Sequence, residues 1–479
     1  MYRFAYPAAK YDERKLDKKI ILNLIMKHHA IMSNKQKCMD YYMGRHEILS
    51  RKREDGLPNA KVVCNHAKDI TDTATGYFMG NPITYSNTDN ADIEPLLSAF
   101  DDADVDEVDA DNAQDMSIYG LAYEYVYAKQ DEAKPAIKNL SPISTFIVVD
   151  DSIEENELFG VYYYAKRDDA ESITRWVATV STKNYKYVLD IENDPNVDQA
   201  LTEEPEPHYF GGIQIIEYLN NKEGIGDFEQ QMGLIDAYNT LMSDRVTDKE
   251  QFIDAILVLY GALMGDGTEE VKEAQEELRQ KKLLELPADA KAEYLTRALD
   301  ENGAEVLRKA IKEDIYNFSH VPNLTDENFA GNTSGVAMEY KLLGLEMITK
   351  VKERYYRKGL QKRMELFCNY LNMQAIAQDA SSVVPTFSRS LPKNLQELAA
   401  TLSTMKDFVS MKTLIKQIPF VEDPDAELEE VKEEKAEAVR QQQELFAQGA
   451  NTPPEDDEEE QDKEKPKEEP KEEPEEEEE

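Results

Sequence analysis

From Gly335 to about Asn372 the apolar residues Val336, Tyr340, Leu343, Met347 and Val351 recur at steps of three and four. That spacing puts one apolar stripe on a helix roughly 55 Å long at 1.5 Å per residue. Directly ahead of it, Gly331 and Gly335 bracket the polar run Asn332-Thr333-Ser334. Ser334 or Thr333 can accept the free N–H groups of the first helical turn, which marks the start well. A polar loop hinged on two glycines before a rigid lever suits a mobile element. On spacing alone, an ordinary loop with an N-cap explains these residues more readily.

The remaining chain mixes both periodicities. Residues 1–40 read as a locally basic arm and a helix carrying Leu22, Ile25 and Met26, and 41–87 as short helices and a turn at Gly80-Asn81-Pro82, with a strand starting at Ile83. A very acidic helix is expected over 93–118. Strands are expected at Ala122–Lys129, Thr145–Asp150, Gly160–Lys166, Ile173–Val180 and Tyr185–Asp190, segments together rich in Tyr, Val and Ile, and a further one at Ile213–Leu219. The character changes at Gly226. Phe228, Met232, Ile235 and Met242 share a helix face, and the apolar run Phe252–Tyr260 reads as a strand. A charged helix (about Glu269 to Lys282) and two strands (Leu283–Leu286 and Ala292–Thr296) make a compact insertion. A second helix follows with Leu307, Ile311, Ile315 and Phe318 on one side, its start marked by Asn302 and Glu305 as a capping box. After a linker at Ser381–Pro392, amphipathic helices are expected at Leu395–Lys416 and Pro424–Phe446. The fold class is α+β, mostly helical.

Charge narrows the function. The chain has 479 residues and a net charge of −42. Residues 451–479 carry 17 acidic residues against four lysines, which leaves −29 on residues 1–450. Such a surface does not hold nucleic acid by neutralising phosphates. The tail is Glu, Lys and Pro without hydrophobic residues, a composition that cannot bury a core. Three scattered cysteines, Cys38, Cys64 and Cys368, indicate no disulfide framework and fit a reducing compartment. The N-terminus has no signal-peptide core, and the longest apolar run, Phe252 to Leu263, is too short and too polar to span a bilayer. A cytoplasmic protein without a membrane partner is expected.

No catalytic constellation emerges. Asp102, Asp104 and Asp106 have calcium-loop spacing, but Glu107 and Ala113 stand where a glycine and a bidentate glutamate are needed. His28, His29, Cys38, His46, Cys64 and His66 lack any close paired spacing for zinc and read as surface or partly buried side chains. Gly76–Gly80 lacks the Gly-Lys-Ser/Thr ending of a phosphate loop. The expectation is no enzyme, no metal and no cofactor.

The stretches YYMGRHEIL (41–49), PNAKVVCNHAKDITDTATGYFMGNPITY (58–85), SIYGLAYE (117–124), GDFEQQMGLIDAYNTLMSD (226–244), NFAGNTSGVAMEYKLLGLE (328–346), FSRSLPKN (387–394) and VSMKTLIKQIPFVED (409–423) together resemble the portal proteins of long-tailed double-stranded DNA bacteriophages. The resemblance keeps their order and covers most of residues 41–425. It implies a homo-oligomeric ring, of twelve subunits in the family's usual form, at one capsid vertex of the virion and assembled in the host cytoplasm. Double-stranded DNA would enter through it, driven by the terminase large subunit, and leave through it on ejection. The scaffold, the major capsid protein and a head-completion or connector protein would be its other partners.

Carried onto this chain, the resemblance implies a wing at 1–225, a stem helix and strand at 226–261, a clip at 262–300 and a second stem helix at 301–323. A tunnel loop follows at 324–335, then the long helix and wing completion at 336–394, a helical crown at 395–449 and a disordered acidic tail at 450–479. The DNA-channel loop would comprise Asn328, Phe329, Gly331, Asn332, Thr333, Ser334 and Gly335, with Asn328, Asn332, Thr333 and Ser334 meeting DNA by transient polar contact. Lys341 and Lys350 could face the lumen or pair with Glu339 and Glu346. Three physical features agree with a conduit: an acidic body repels phosphate, the glycines let a short loop change shape at low cost, and two singly striped stem helices need partners. The competing reading is an acidic cytoplasmic scaffold or adaptor that binds only proteins.

Overall fold

A computed structural model describes residues 3–53, 58–87, 91–129, 132–197, 199–253, 256–260, 291–295, 301–324, 338, 340–389, 395–415, 417–418, 421, 427–437 and 440. The chain divides into two compact units, Met1–Pro392 and Lys393–Glu479.

The basic arm is not a free extension. Its residues form strand β1 (Phe4–Tyr6), and helix α1 (Lys18–Tyr42) starts where the Asp17 carboxylate accepts from the Lys19 N–H. Helix α2 (His66–Met79) is capped likewise by Asn65, whose side chain accepts from the Lys68 N–H. Strand β2 (Thr84–Asn87) follows. The acidic helix expected over 93–118 is two helices, α3 (Glu94–Asp101) and α4 (Val105–Tyr119). The break is at Asp104, which takes a left-handed conformation at φ 52°. An aspartate tolerates that region better than most residues.

Strands β3 (Leu121–Ala128), β4 (Pro135–Leu140), β5 (Thr145–Asp150), β6 (Glu157–Arg167), β7 (Ile173–Ser181), β8 (Tyr185–Glu192), β9 (Glu206–Pro207) and β10 (Ile215–Leu219) build two sheets. One has the order β1-β5-β6-β7-β8-β9, with β1 parallel to β5 and the rest antiparallel. The other is β10-β3-β4. In β7, Trp176, Ala178 and Val180 alternate toward Ile21, Leu22 and Ile25 of α1, so the helix covers the larger sheet. Met26, expected to join that apolar face, is 43% exposed.

Helix α5 (Met232–Ile253) begins after a 3-10 turn at Glu229–Gln231, later than its apolar spacing suggested. Strand β11 (Ile256–Tyr260) pairs antiparallel with β12 (Lys291–Leu295), Ile256 opposite Leu295 and Tyr260 opposite Lys291. The expected helix and strand between Glu269 and Leu286 lie outside the described residues. Helix α6 (Glu301–Ser319) contains Asn302 already inside its first turn, so no capping box forms there. Glu305 instead accepts from Arg245 and Arg308. Helix α7 (Leu343–Met373) crosses the fold, and the expected linker 381–392 contains strand β13 (Val383–Thr386), which pairs with β2.

The predicted stripe of α7 is its outer side. Tyr340, Leu343, Met347 and Val351 are 71%, 53%, 63% and 38% exposed, while Leu345, Lys352, Tyr356, Leu360, Arg363 and Phe367 are buried. The pattern misled because two cations sit on the inner face with carboxylates waiting for them. Lys352 meets Asp227, and Arg363 meets Asp109 and Glu124. A hydrophobicity count scores such residues as surface.

In the second unit, helices α8 (Leu395–Met405) and α9 (Met411–Ile415) replace the single helix expected over Leu395–Lys416, and 427–437 is helical. The expected disordered tail lies outside the described residues. Among the described residues no helix is long and apolar enough to cross a membrane.

Candidate functional site

Asn328, Phe329, Gly331, Asn332, Thr333, Ser334 and Gly335 all lie outside the described residues. What the structure gives is the mounting on either side of them. Helix α6 ends at Ser319, and His320 follows in a left-handed conformation at φ 59°. Val321 then drops into a buried cluster with Ile315, Tyr316, Leu342 and Leu345. A Cβ placed on Gly344 would lie 3.4 Å from the His320 carbonyl oxygen. The two ends of the intervening segment therefore meet.

Both ends are tied down by charge as well as by apolar packing. Glu346, in the first turn of α7, accepts from Tyr77 Oη on α2 at 2.9 Å and from Arg389 Nε at 2.8 Å. Arg389 also reaches Glu353 at 2.9 Å. These donors hold the Glu346 and Glu353 carboxyls below their ordinary range against the opposing effect of burial. On the α6 side, Tyr316 donates to Asp69 at 2.6 Å and meets His66 Nδ1 at 3.1 Å. Lys350 pairs with its helical neighbour Glu346 at 3.4 Å while its side chain stays 63% exposed.

The strings 117–124 and 226–244 quoted above meet in space at Asp227. Asp227 accepts from Ser117 Oγ at 2.7 Å, from Asn220 Nδ2 at 3.0 Å and from the buried Lys352. Gly120 and Gly226 make that meeting possible. A Cβ on Gly120 would lie 2.2 Å from the Gly224 oxygen, and one on Gly226 would lie 2.5 Å from the Ile118 oxygen. Lys35 of α1 reaches Glu229 at 2.7 Å and the Gly224 carbonyl at 3.0 Å. So α1, α4, the 224–231 turn and α7 are pinned together at one junction, beside the mounting of the 325–337 segment.

Of the histidines read as surface or partly buried, His29 is exposed and His66 partly buried, while His28 and His46 lie in the interior. His28 is buried and its Nδ1 lies 2.8 Å from Tyr163 Oη. Burial pushes its pKa down to about 3. His46 donates through Nε2 to the Tyr41 carbonyl at 2.9 Å and accepts at Nδ1 from Asn239 at 2.7 Å, which fixes a neutral tautomer. Among the described residues no group of three or more His, Cys, Asp or Glu could hold a metal ion. Each of these side chains has a structural partner, and the site as a whole is a rigid mounting.

Helices α5 and α6 run as a pair clamped by ions. Arg245 reaches Glu301 and Glu305 at 3.3 and 3.0 Å, Lys249 reaches Glu301 at 3.1 Å, and Arg308 donates to Tyr238 Oη at 3.1 Å. Arg308 and Arg245 hold the Glu305 carboxyl down to about 2. The outer surface of this pair is apolar in places, with Val306, Leu307 and Phe318 70%, 50% and 62% exposed. Only the Ile315 part of the expected α6 face is fully buried, and Leu307 and Phe318 point outward.

The tie between Glu346 and Arg389 was not legible as such, although both residues lie inside strings quoted above. A glutamate and an arginine 43 positions apart give no spacing signal.

Comparison with known proteins places these features. The family model described as "Phage portal protein, SPP1 Gp6-like" matches residues 21–441. The portal protein of Bacillus phage SPP1 is 24% identical over 419 residues, covering 82% of this chain and 82% of that protein. The portal protein of Clostridium phage phiCD119 is 20% identical over 412 residues, covering 80% and 88%. A chain from the neck of an empty GTA particle, computed with C6 symmetry, superposes with a TM-score of 0.42 at 11% identity over 76% of this chain and 88% of that one, a likeness too distant to argue from.

Proposed function

The chain belongs to the SPP1 Gp6-like phage portal proteins, and from that premise we propose that it forms a closed ring, of twelve copies, through which double-stranded DNA enters and leaves a capsid. The observation that carries the ring is the exposed apolar surface of α6 and α7. A lone protomer would leave Leu307, Phe318, Leu343 and Met347 in water. Neighbours around a closed ring would cover these side chains in every copy at once.

In this reading α5 and α6 are the stem, and the β11–β12 ladder is the base of the clip facing the terminase and later the head-completion protein. The 324–335 segment is the tunnel loop, in which Asn328, Asn332, Thr333 and Ser334 touch the passing duplex. Its mounting fits that work, since the two ends meet at His320 and Gly344 and are braced by Glu346 and Arg389. A loop that yields while its base stays fixed can follow a moving helix without unravelling the wing. The acidic body supports passage over retention, because it offers phosphates little to grip. ATP hydrolysis is assigned to the terminase and none to this chain, and the scaffold and major capsid protein are its further partners.

Electron microscopy of the purified full chain tests this. Closed rings with a central opening wide enough for a duplex are expected. A species that stays monomeric or dimeric at high concentration would overturn the ring.

A further inference from the structure

We propose that the outward face of α7 is one half of a head-to-tail contact between copies of this chain, and that the acidic outer face of α3 and α4 is the other half. The proposal rests on the ring reading and names a pair of surfaces within it.

On α7, Lys350, Arg354 and Lys358 follow one another at four-residue steps and are exposed. They form a basic ridge roughly 12 Å long at 1.5 Å per residue. In a chain of net charge −42 such a ridge is locally against the grain. Among the described residues neither Arg354 nor Lys358 has an ion-pair partner. The carboxylates beside them on the helix are already engaged. Glu346 and Glu353 both bind Arg389, and Glu353 also binds Arg357 at 2.8 Å. The ridge continues the exposed apolar residues Leu343 and Met347 on the same side of the helix, so it lies at the edge of the surface a neighbour would cover.

The opposite charge is on the opposite side of the protomer. Asp101, Asp104, Asp106, Glu107 and Asp111 are exposed on α3 and α4, and Asp102 alone of this run has a cation, Lys134 at 2.7 Å. The inner side of α4 carries Asp109, which accepts from Tyr356 and Arg363 on the inner side of α7, at 2.5 and 2.6 Å. With those inner sides turned toward each other, residues 107 and 111 of α4 and residues 350, 354 and 358 of α7 look away from each other. One copy cannot bring its own two surfaces together. A second copy can, and a contact between unlike surfaces is the kind that closes into a ring. Opposed charge across such a contact sets its register and suppresses wrong pairings.

The test is a charge swap in the full-length chain, read by sedimentation velocity and electron microscopy. Arg354→Glu with Lys358→Glu is expected to raise the concentration needed for half-assembly about tenfold or more. Glu107→Lys with Asp111→Lys is expected to do the same, and the four changes together to restore assembly. All four substituted positions are surface ones, so unchanged circular dichroism should accompany the loss, and the α7 pair alone suffices should the α4 pair misfold. Rings indifferent to the reversals would overturn this contact and leave the ring reading standing. A wild-type chain that never assembles would overturn both. Unaltered rings combined with lost binding of a short duplex would give the ridge to nucleic acid and overturn the contact.

Discussion

Gly359 lets α7 lie directly on the ring of Tyr218: a Cβ added at Gly359 would come 2.3 Å from Tyr218 Cε1 and 2.5 Å from Cδ1. Tyr218 is fully buried, and its ring centroid is 4.4 Å from that of Tyr356. It has nowhere to retreat. In an open helix interior, Gly→Ala gains up to about 1 kcal/mol. Here the overlap dominates, and overpacking a core typically costs about 1–3 kcal/mol. Gly359→Ala should therefore lower stability in chemical denaturation, and a stabilised variant would show that the contact is looser than described.

Arg363 is buried, donating to Glu124 Oε1 at 2.9 Å and Asp109 Oδ1 at 2.6 Å. Replacing it with methionine leaves two carboxylates in the interior without their cation, a change that costs about 3–5 kcal/mol. The triple change Arg363→Met, Asp109→Asn, Glu124→Gln should recover part of the loss. Equal instability of single and triple variants would place the effect in packing rather than charge.

Two kinds of buried group pull the acid response in opposite directions. Burial lowers the His28 and His66 imidazoles to about 3 and about 4, so on acidification the unfolded chain takes protons near pH 6.5 that the folded chain refuses. Stability from these two falls as pH drops from about 6.5 to about 4. Burial lifts the Asp115 carboxyl to about 7, so between its ordinary value and 7 the folded chain binds the extra proton, and its contribution improves as pH drops. Asp115→Asn should raise stability at pH 8 by about 1–2 kcal/mol, with the gain shrinking toward pH 4. Calorimetry at pH 8, 6 and 5 reads both slopes, and a variant whose advantage grows on acidification would contradict the sign.

Replacing Gly331 and Gly335 with valine should block DNA packaging while rings still form, because β-branched residues resist the backbone changes that glycine accommodates. Packaging assays with purified rings measure it, and normal packaging would remove the hinge.

Leu307→Ser with Phe318→Ser should leave the thermal midpoint of the protomer within a few degrees, since both side chains are half exposed or more. Ring formation should nonetheless fail. Intact rings would mean that this surface is not covered by a neighbour.

Secondary structure was legible where a segment answers to one neighbour. Thr145–Asp150 falls where its Phe, Ile and Val content put it, buried along its whole length. Phe4–Tyr6 and Val383–Thr386 were missed because three or four residues take their strand form only from distant partners, Val148–Asp150 and Thr84–Asn87. The inner face of α7 was missed for a different reason. Lys352 and Arg363 are interior only because Asp227, Asp109 and Glu124 arrive from more than 100 positions away. The same remoteness hid the Glu346–Arg389 brace, while the glycines around 331–335 stood out because they are local.

The ladder between Ile256–Tyr260 and Lys291–Leu295 returns the chain to the point from which it left α5. Five residue pairs thus tie the exit from α5 to the strand ahead of α6, so a one-residue slip on either strand would turn that strand's side chains to the other face of the ladder.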